Sequence, residues 1–93
     1  MSDAKFTKGP WMAWQPRGDE SVPVRTDGLG ITIAYAHQGA ITNARANAHL
    51  IAAAPELYDA CCEALIMLKH LNVTGSLIDQ VDSALAKARG ETL

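Results

Sequence analysis

The fold is decided by the stretch NARANAHLIAAAPELYDACCEALIMLKHL, Asn43 to Leu71, which holds most of the apolar bulk of the chain. Its first part repeats alanines and aliphatic residues at the spacing of one helical face. Pro55 interrupts this pattern, because proline lacks a backbone donor while its fixed φ suits the first turn of a new helix. We therefore predict two helices. The first covers residues 43–53 with Thr42 or Asn43 as its N-cap, and the second starts at the proline.

The second helix carries more apolar residues than one helical face can hold. Its sequence therefore predicts a stripe that faces the core and a further apolar surface on the outside. The core stripe is expected to contain Leu57, Cys61, Ala64, Leu65, Leu68 and Leu71. The outer surface is expected to contain Tyr58, Cys62, Ile66 and Met67.

Two strings resemble motifs of a known group of proteins. Residues 47–57 (NAHLIAAAPEL) look like the NA-x-LIAAAPEL segment of a widespread group of small phage and prophage proteins. Residues 7–11 (TKGPW) look like the T-x-GPW element with which those proteins begin. A valine-bearing hairpin with a glycine turn and an alanine-rich helical end are similar too. The resemblance implies phage lineage and the fold, and it implies no particular chemistry.

Three short strands are predicted before the helices, at residues 11–15, 22–25 and 31–35. The dipeptide Asp27-Gly28 is a strong hairpin signal and joins the last two strands. Pro23 has no ladder donor, so the second strand is expected at a sheet edge or bonded on one side only. By strand alternation, one face of the third strand is expected to carry Ile31, Ile33 and Tyr35.

After the second helix, Ser76 is expected to cap a third helix, with Asp79 in the capping-box position and Gly90 at the end. The short turn before it predicts that helices two and three form an antiparallel hairpin. The fold class is therefore α+β, a three-stranded antiparallel β-meander followed by three helices. A chain of 93 residues predicts one domain, 1–93. Its parts are an N-terminal arm (1–9), the meander (10–36) and a helical part (42–90).

The composition argues against several classes of function. The net charge is −2 and no basic stripe is present, so nucleic-acid binding is not expected. The chain has no run of about twenty apolar residues and no signal-peptide layout. We therefore expect no membrane association and a location in the cytoplasm of a bacterial host. Much of the apolar content is alanine, which buries little area, so a homo-oligomer is a reasonable expectation.

Side chains that carry chemistry are sparse. His37, His49 and His70 lack the spacing of metal ligands. Cys61 and Cys62 lie in the middle of a predicted helix, without the neighbouring base that would activate a thiol. A catalytic triad, a glycine-rich phosphate loop and a nucleophile elbow are all missing from the sequence. We predict no catalytic residue, no metal site and no cofactor, so the protein is not expected to be an enzyme.

Binding is therefore the leading hypothesis. The predicted function is that of a non-enzymatic phage or prophage accessory protein that binds another protein, for example to modulate a host process or host defence. The predicted binding residues are Trp11, Trp14, Tyr58, Cys62, Ile66 and Met67. For the tryptophans, the structural alternative is that one closes the core and the other covers a sheet edge.

An alternative function is that of a small-ligand binder or sponge for a nucleotide or metabolite. Its pocket would lie between the sheet and the helices and would be lined by Trp14, Tyr35 and His49. A structural component of the virion is a third hypothesis. These three classes of function stay open at the level of sequence.

Overall fold

The computed structural model describes residues 5–15, 21–28, 30–39 and 43–91. Its elements are β1 (Trp11–Ala13), β2 (Val22–Thr26), β3 (Thr32–Ala36), α1 (Ala44–Ala52), α2 (Ala54–His70) and α3 (Ser76–Ala88). The predicted α+β class and the order of strands and helices are confirmed. The start of the predicted arm, the loop after β1 and the cap at Thr42 fall on residues outside the described ranges.

Contacts divide the chain into two compact units. One unit is Lys8–Glu56 and contains the sheet, α1 and the first residues of α2. The other is Leu57–Leu93 with Met1–Thr7, and it contains the rest of α2 and α3. The single domain stays a prediction.

The three strands form an antiparallel sheet in the order β1-β2-β3, which is the predicted meander. Because β2 is the central strand, the expectation that Pro23 marks a sheet edge is wrong. The Pro23 carbonyl accepts a hydrogen bond from the Trp14 backbone N–H at 2.9 Å. The N and O atoms of a strand residue point to the same side, so the missing donor of Pro23 removes one bond to the β1 side and none to β3.

Valines of β2 and alanines of α1 form the core of the first unit. Its buried residues are Val22, Val24, Ala36, Ala44 and Ala48, and Trp11, Ala13, Ile51 and Ala52 pack against them. Val22 pairs with Ala36 and Val24 with Ala34 across the sheet. Small side chains on β3 let the alanine face of α1 approach the sheet closely.

The face of β3 differs from the prediction. Tyr35 and Ile31 are 64% and 51% exposed, whereas Ala36 is buried. Simple alternation fails because the pairing with β2 shifts by one residue between Val24 and Arg25. A bulge of this kind adds one unpaired residue, here Ile33, to one strand. The bulge interrupts the alternation that would place Ile31, Ile33 and Tyr35 on one face.

Two side-chain oxygens accept hydrogen bonds from backbone N–H groups in the first turn of α1. Asn43, one of the two predicted candidates, is the N-cap, and its Oδ1 accepts from the Ala46 N–H at 2.9 Å. Gln38 Oε1 accepts from the Ala44 N–H at 3.0 Å. The first amides of a helix have no partner within it, so both bonds stabilise this end.

The break between α1 and α2 lies at Ala53, two residues before the proline that predicted it. Gly9 lies against Pro55. A Cβ built on Gly9 would be 2.9 Å from the Pro55 Cβ and 3.1 Å from its Cγ. Carbon atoms pack best at roughly 3.5–4.0 Å, so a side chain at position 9 would displace the proline ring. The two strings at residues 7–11 and 47–57 therefore contact each other at this point.

α2 and α3 form the predicted antiparallel hairpin. Near the turn, Lys69 Nζ lies 3.7 Å from Asp82 Oδ2. At the far end, Arg89 Nη1 donates to the Tyr58 hydroxyl at 3.2 Å. The buried residues between the helices are Tyr58, Cys62, Leu65 and Leu85, with Phe6, Cys61, Ile78 and Val81 packed against them.

Both hairpin helices end in the Schellman arrangement, in which a residue with positive φ follows the helix. Asn72 has φ +61° after α2, and the Val73 N–H reaches the Leu68 carbonyl at 3.0 Å. Gly90 has φ +77° after α3, and the Glu91 N–H donates to a carbonyl of the last turn. The prediction that Gly90 ends the third helix is confirmed.

The start of α3 differs from the predicted capping box. Its N-cap is Gly75, which has no side chain to cap with, and Ser76 is already the first helical residue. Gly75 has φ +108°, a region that glycine enters without steric strain, so the chain turns into the helix one residue earlier than expected.

Candidate interaction surfaces

The buried face of α2 is only partly the predicted one, because Leu65 lies in the hairpin core and Cys61 packs against it as expected. Tyr58 and Cys62 are only 6% and 8% exposed, whereas Leu57 and Leu71, which were expected in the core, are 50% and 62% exposed. The prediction that Tyr58 and Cys62 lie on an outer surface is therefore wrong. Tyr58 can be buried because its ring packs in the hairpin core while its hydroxyl accepts a hydrogen bond from Arg89.

Exposed apolar residues of α2 form a separate stripe, which we call the α2 seam. Its members follow one another at intervals of three, four, three and four residues and are Leu57, Ala60, Ala64, Met67 and Leu71. This alternation is the spacing of the a and d positions of a heptad repeat. Met67, one of the predicted binding residues, belongs to the seam and is 56% exposed. Ile66 is 61% exposed but lies on another face of the helix.

A second surface is the face of the sheet that α1 does not cover, which we call the outer sheet face. Strand alternation places on it Met12, Trp14, Pro23, Arg25 and Tyr35. Met12 and Trp14 are 47% and 44% exposed. Pro23 pairs with Tyr35 on one side, and its carbonyl bonds to Trp14 on the other. The two exposed aromatic side chains therefore flank Pro23, Tyr35 from β3 and Trp14 from the residue after β1.

Trp11, the other predicted tryptophan, points to the opposite side of the sheet. It is partly buried and packs against the core of the first unit. The structural alternative for the tryptophans thus describes Trp11 well, while Trp14 stays available for binding.

Arg25 holds a fixed position beside the exposed tryptophan. Its Cζ lies 4.8 Å from the centroid of the Trp14 ring, within the range of a cation–π contact. Its Nε donates to the Gly30 carbonyl at 2.7 Å, and its Nη2 donates to the same oxygen. Sequence reasoning missed Arg25, because only the register of β1 on β2 shows that it lies diagonally next to Trp14.

The predicted ligand pocket is not formed. Trp14 and Tyr35 lie on the outer sheet face, whereas His49 is an exposed residue of α1, which packs on the other face. The prediction that these three residues line one pocket between sheet and helix is therefore wrong.

Clusters of polar residues are small in the described part of the chain. No group of three or more His, Cys, Asp or Glu side chains within residues 5–15, 21–28, 30–39 and 43–91 is arranged to hold a metal ion. At the end of α3, Arg89 Nε lies 3.0 Å from Glu91 Oε2. This hydrogen bond lowers the pKa of Glu91, and together with the bond to Tyr58 it raises the pKa of Arg89. Both side chains are at the surface, so this pair is a solvated helix end.

The profile of one protein family, the Salmonella phage P22 protein Y8K6 family, matches residues 1–92. The chain belongs to this family. It is thus a small phage protein, as the resemblance implied. Searches of curated proteins and of solved structures return no match. In this Y8K6 family member, none of the helices in the described segments is long and apolar enough to cross a bilayer.

Proposed function

We propose that this Y8K6 family protein is a non-enzymatic accessory protein of the phage that acts by binding another protein. The observation that carries the proposal is the outer sheet face, where Trp14 and Tyr35 are 44% and 64% exposed. Tryptophan, tyrosine and arginine are the residues that most often dominate the energy of protein interfaces. This face presents all three.

The arrangement of these side chains also favours binding because it is preorganised. Arg25 is held by two hydrogen bonds to one carbonyl and by the Trp14 ring. A side chain that is already immobilised loses little conformational entropy when a partner binds, so more of the contact energy becomes affinity. Tyr35 pairs with Pro23 across β2 and β3, so its backbone position is fixed by the sheet.

The biological role that fits phage family membership is the modulation of a host process or a host defence, in the host cytoplasm. Such a role needs a binding surface and no catalytic centre. The three histidines are exposed and lie on separate elements or loops, which supports a function without metal or cofactor chemistry.

Affinity capture from host lysate tests the proposal. The bait variants are wild type, the double variant Trp14→Ala/Tyr35→Ala, and Leu50→Ala, whose residue is 64% exposed on α1. The expected result is a stoichiometric partner that wild type and Leu50→Ala retain. The double variant should bind the purified partner at least ~30-fold more weakly, as for loss of an interface hot spot.

Circular dichroism of the three proteins shows whether each one is folded. If the folded double variant binds the partner as tightly as wild type, the outer sheet face is not the binding surface. If no protein partner is found and the tryptophan fluorescence responds to a nucleotide or metabolite, the small-ligand function replaces this proposal.

A further inference from the structure

We infer that the α2 seam is the contact surface for a second copy of this chain, packed antiparallel against the first. The seam is distinct from the outer sheet face, so this inference goes beyond the proposed function. Leu57, Met67 and Leu71 are all at least half exposed along it, and Ala60 and Ala64 are exposed between them.

The spacing of the seam identifies the kind of occupant. A three-four alternation keeps a continuous apolar row facing one straight helix, and each side chain then inserts between four residues of the partner helix. A flat sheet or an extended peptide gains nothing from this period. The occupant is therefore a helix with the same spacing, and the α2 seam of a second copy has it.

The sizes along the seam are complementary in an antiparallel pair. When Ala64 faces Met67 of the second copy, Ala60 faces Leu71 of that copy. Met67 and Leu71 then each lie opposite an alanine, which fills the space between the helices without overpacking, whereas Leu57 faces residues beyond the end of α2 in the second copy. The pairing is isologous, since both copies contribute the same residues and the contact closes as a dimer.

The positions of Glu63 and His70 also favour the antiparallel pair. Glu63 and His70 lie on the same flank of the seam, one in the middle of α2 and the other at its end. In the antiparallel register above, Glu63 of each copy lies beside His70 of the other, so two favourable pairs form. A parallel pair would instead place the Glu63 side chains beside apolar residues. Antiparallel helix dipoles add to this preference.

Sedimentation velocity of the full chain, from about 1 μM to about 1 mM, tests the inference. Wild type should pass from monomer to dimer over this range. Met67→Glu places a charge in the seam and should weaken the dimer at least ~30-fold. Ile66→Glu is the matched control, because it adds the same charge at the next position, outside the seam, and should associate as wild type does.

A charge reversal tests the orientation. Glu63→Lys should weaken the dimer, and the double variant Glu63→Lys/His70→Glu should restore it, because the pairs form again with opposite signs. If Met67→Glu does not fold by circular dichroism, Leu71→Glu, outside the regular helix, replaces it. A wild type that stays monomeric at all concentrations, or a Met67→Glu protein that dimerises as wild type does, overturns the inference. The first of these results would leave the seam to a helix of a different protein.

Discussion

Replacing Tyr58 with alanine tests which face of α2 is buried. Tyr58 is 6% exposed, its ring meets the edge of Phe6 at a centroid distance of 5.0 Å, and its hydroxyl is bonded to Arg89. Truncating a buried aromatic residue to alanine typically lowers the free energy of unfolding by about 3–5 kcal/mol. A chain of this size has only about 5–15 kcal/mol in total, so Tyr58→Ala should be strongly destabilised.

The matched control is Ile66→Ala, on the same helix. Ile66 is 61% exposed, and substitutions at such positions usually change stability by less than about 0.5 kcal/mol. Urea denaturation followed by far-UV circular dichroism measures both values, and the slopes show whether both transitions are comparable. Tyr58→Phe should fall between wild type and Tyr58→Ala, because it keeps the ring and loses only the hydroxyl. An Ile66→Ala protein destabilised as much as Tyr58→Ala would refute the assignment of the buried face.

Further predictions concern the helix ends and the motif contact. Gly9→Ala should destabilise by about 1–3 kcal/mol in urea titration, because its Cβ overlaps the proline at the helix break. Asn43→Ala should cost about 1 kcal/mol through loss of the N-cap bond to the first turn of α1. Asn72→Gly should raise the melting temperature, since glycine adopts φ +61° without strain. In an NMR pH titration, Arg89→Gln should return the pKa of Glu91 towards 4.5. The pKa of Glu91 is lower in the folded protein, so this pair stabilises above the unfolded pKa, and the contribution is lost as the pH falls through the folded value.

Each of these predictions has an outcome that contradicts it. Lys8→Ala, next to Gly9 and exposed, should be neutral, and equal losses at both positions would argue against the contact with Pro55. A neutral Asn43→Ala or a destabilised Asn72→Gly would contradict the described helix ends. An unchanged Glu91 titration would show that Arg89 does not hold that carboxylate.

The break between the first two helices was predictable from one residue. Pro55 disfavours a continuous helix through its own backbone geometry, and Asn43 has a side chain that suits the N-cap position. The hairpin turn and the end of α3 were predictable for a similar reason, since Gly28 and Gly90 can adopt the positive φ that those positions require. All of these features depend on the local preferences of single residues, which the sequence shows directly.

The buried face of α2 was not predictable, because two stripes on this helix are apolar. The stripe through Leu57 and the stripe through Tyr58 both satisfy the helical period. Which of them faces α3 depends on contacts distant in sequence, such as the hydrogen bond between Tyr58 and Arg89. The larger number of leucines favoured a stripe that is right at Leu65 and wrong at Leu57 and Leu71, although an aromatic ring buries more area.

The outer sheet face was only partly predictable. Trp14 could be singled out from its side chain alone. Arg25 and Tyr35 join it through the register of three neighbouring strands, which does not follow from alternation along one strand.

The central claim is that the Tyr58 side of α2 packs against α3, whereas the α2 seam is exposed on the surface of the monomer. The most direct measurement is a nuclear Overhauser spectrum of isotope-labelled protein at a concentration where it is monomeric. The account predicts cross-peaks from the Leu85 methyl groups to side chains of the hairpin core, Tyr58 among them, and none to Leu57 or Met67. Cross-peaks from Leu85 to Leu57 in place of the core residues would contradict it.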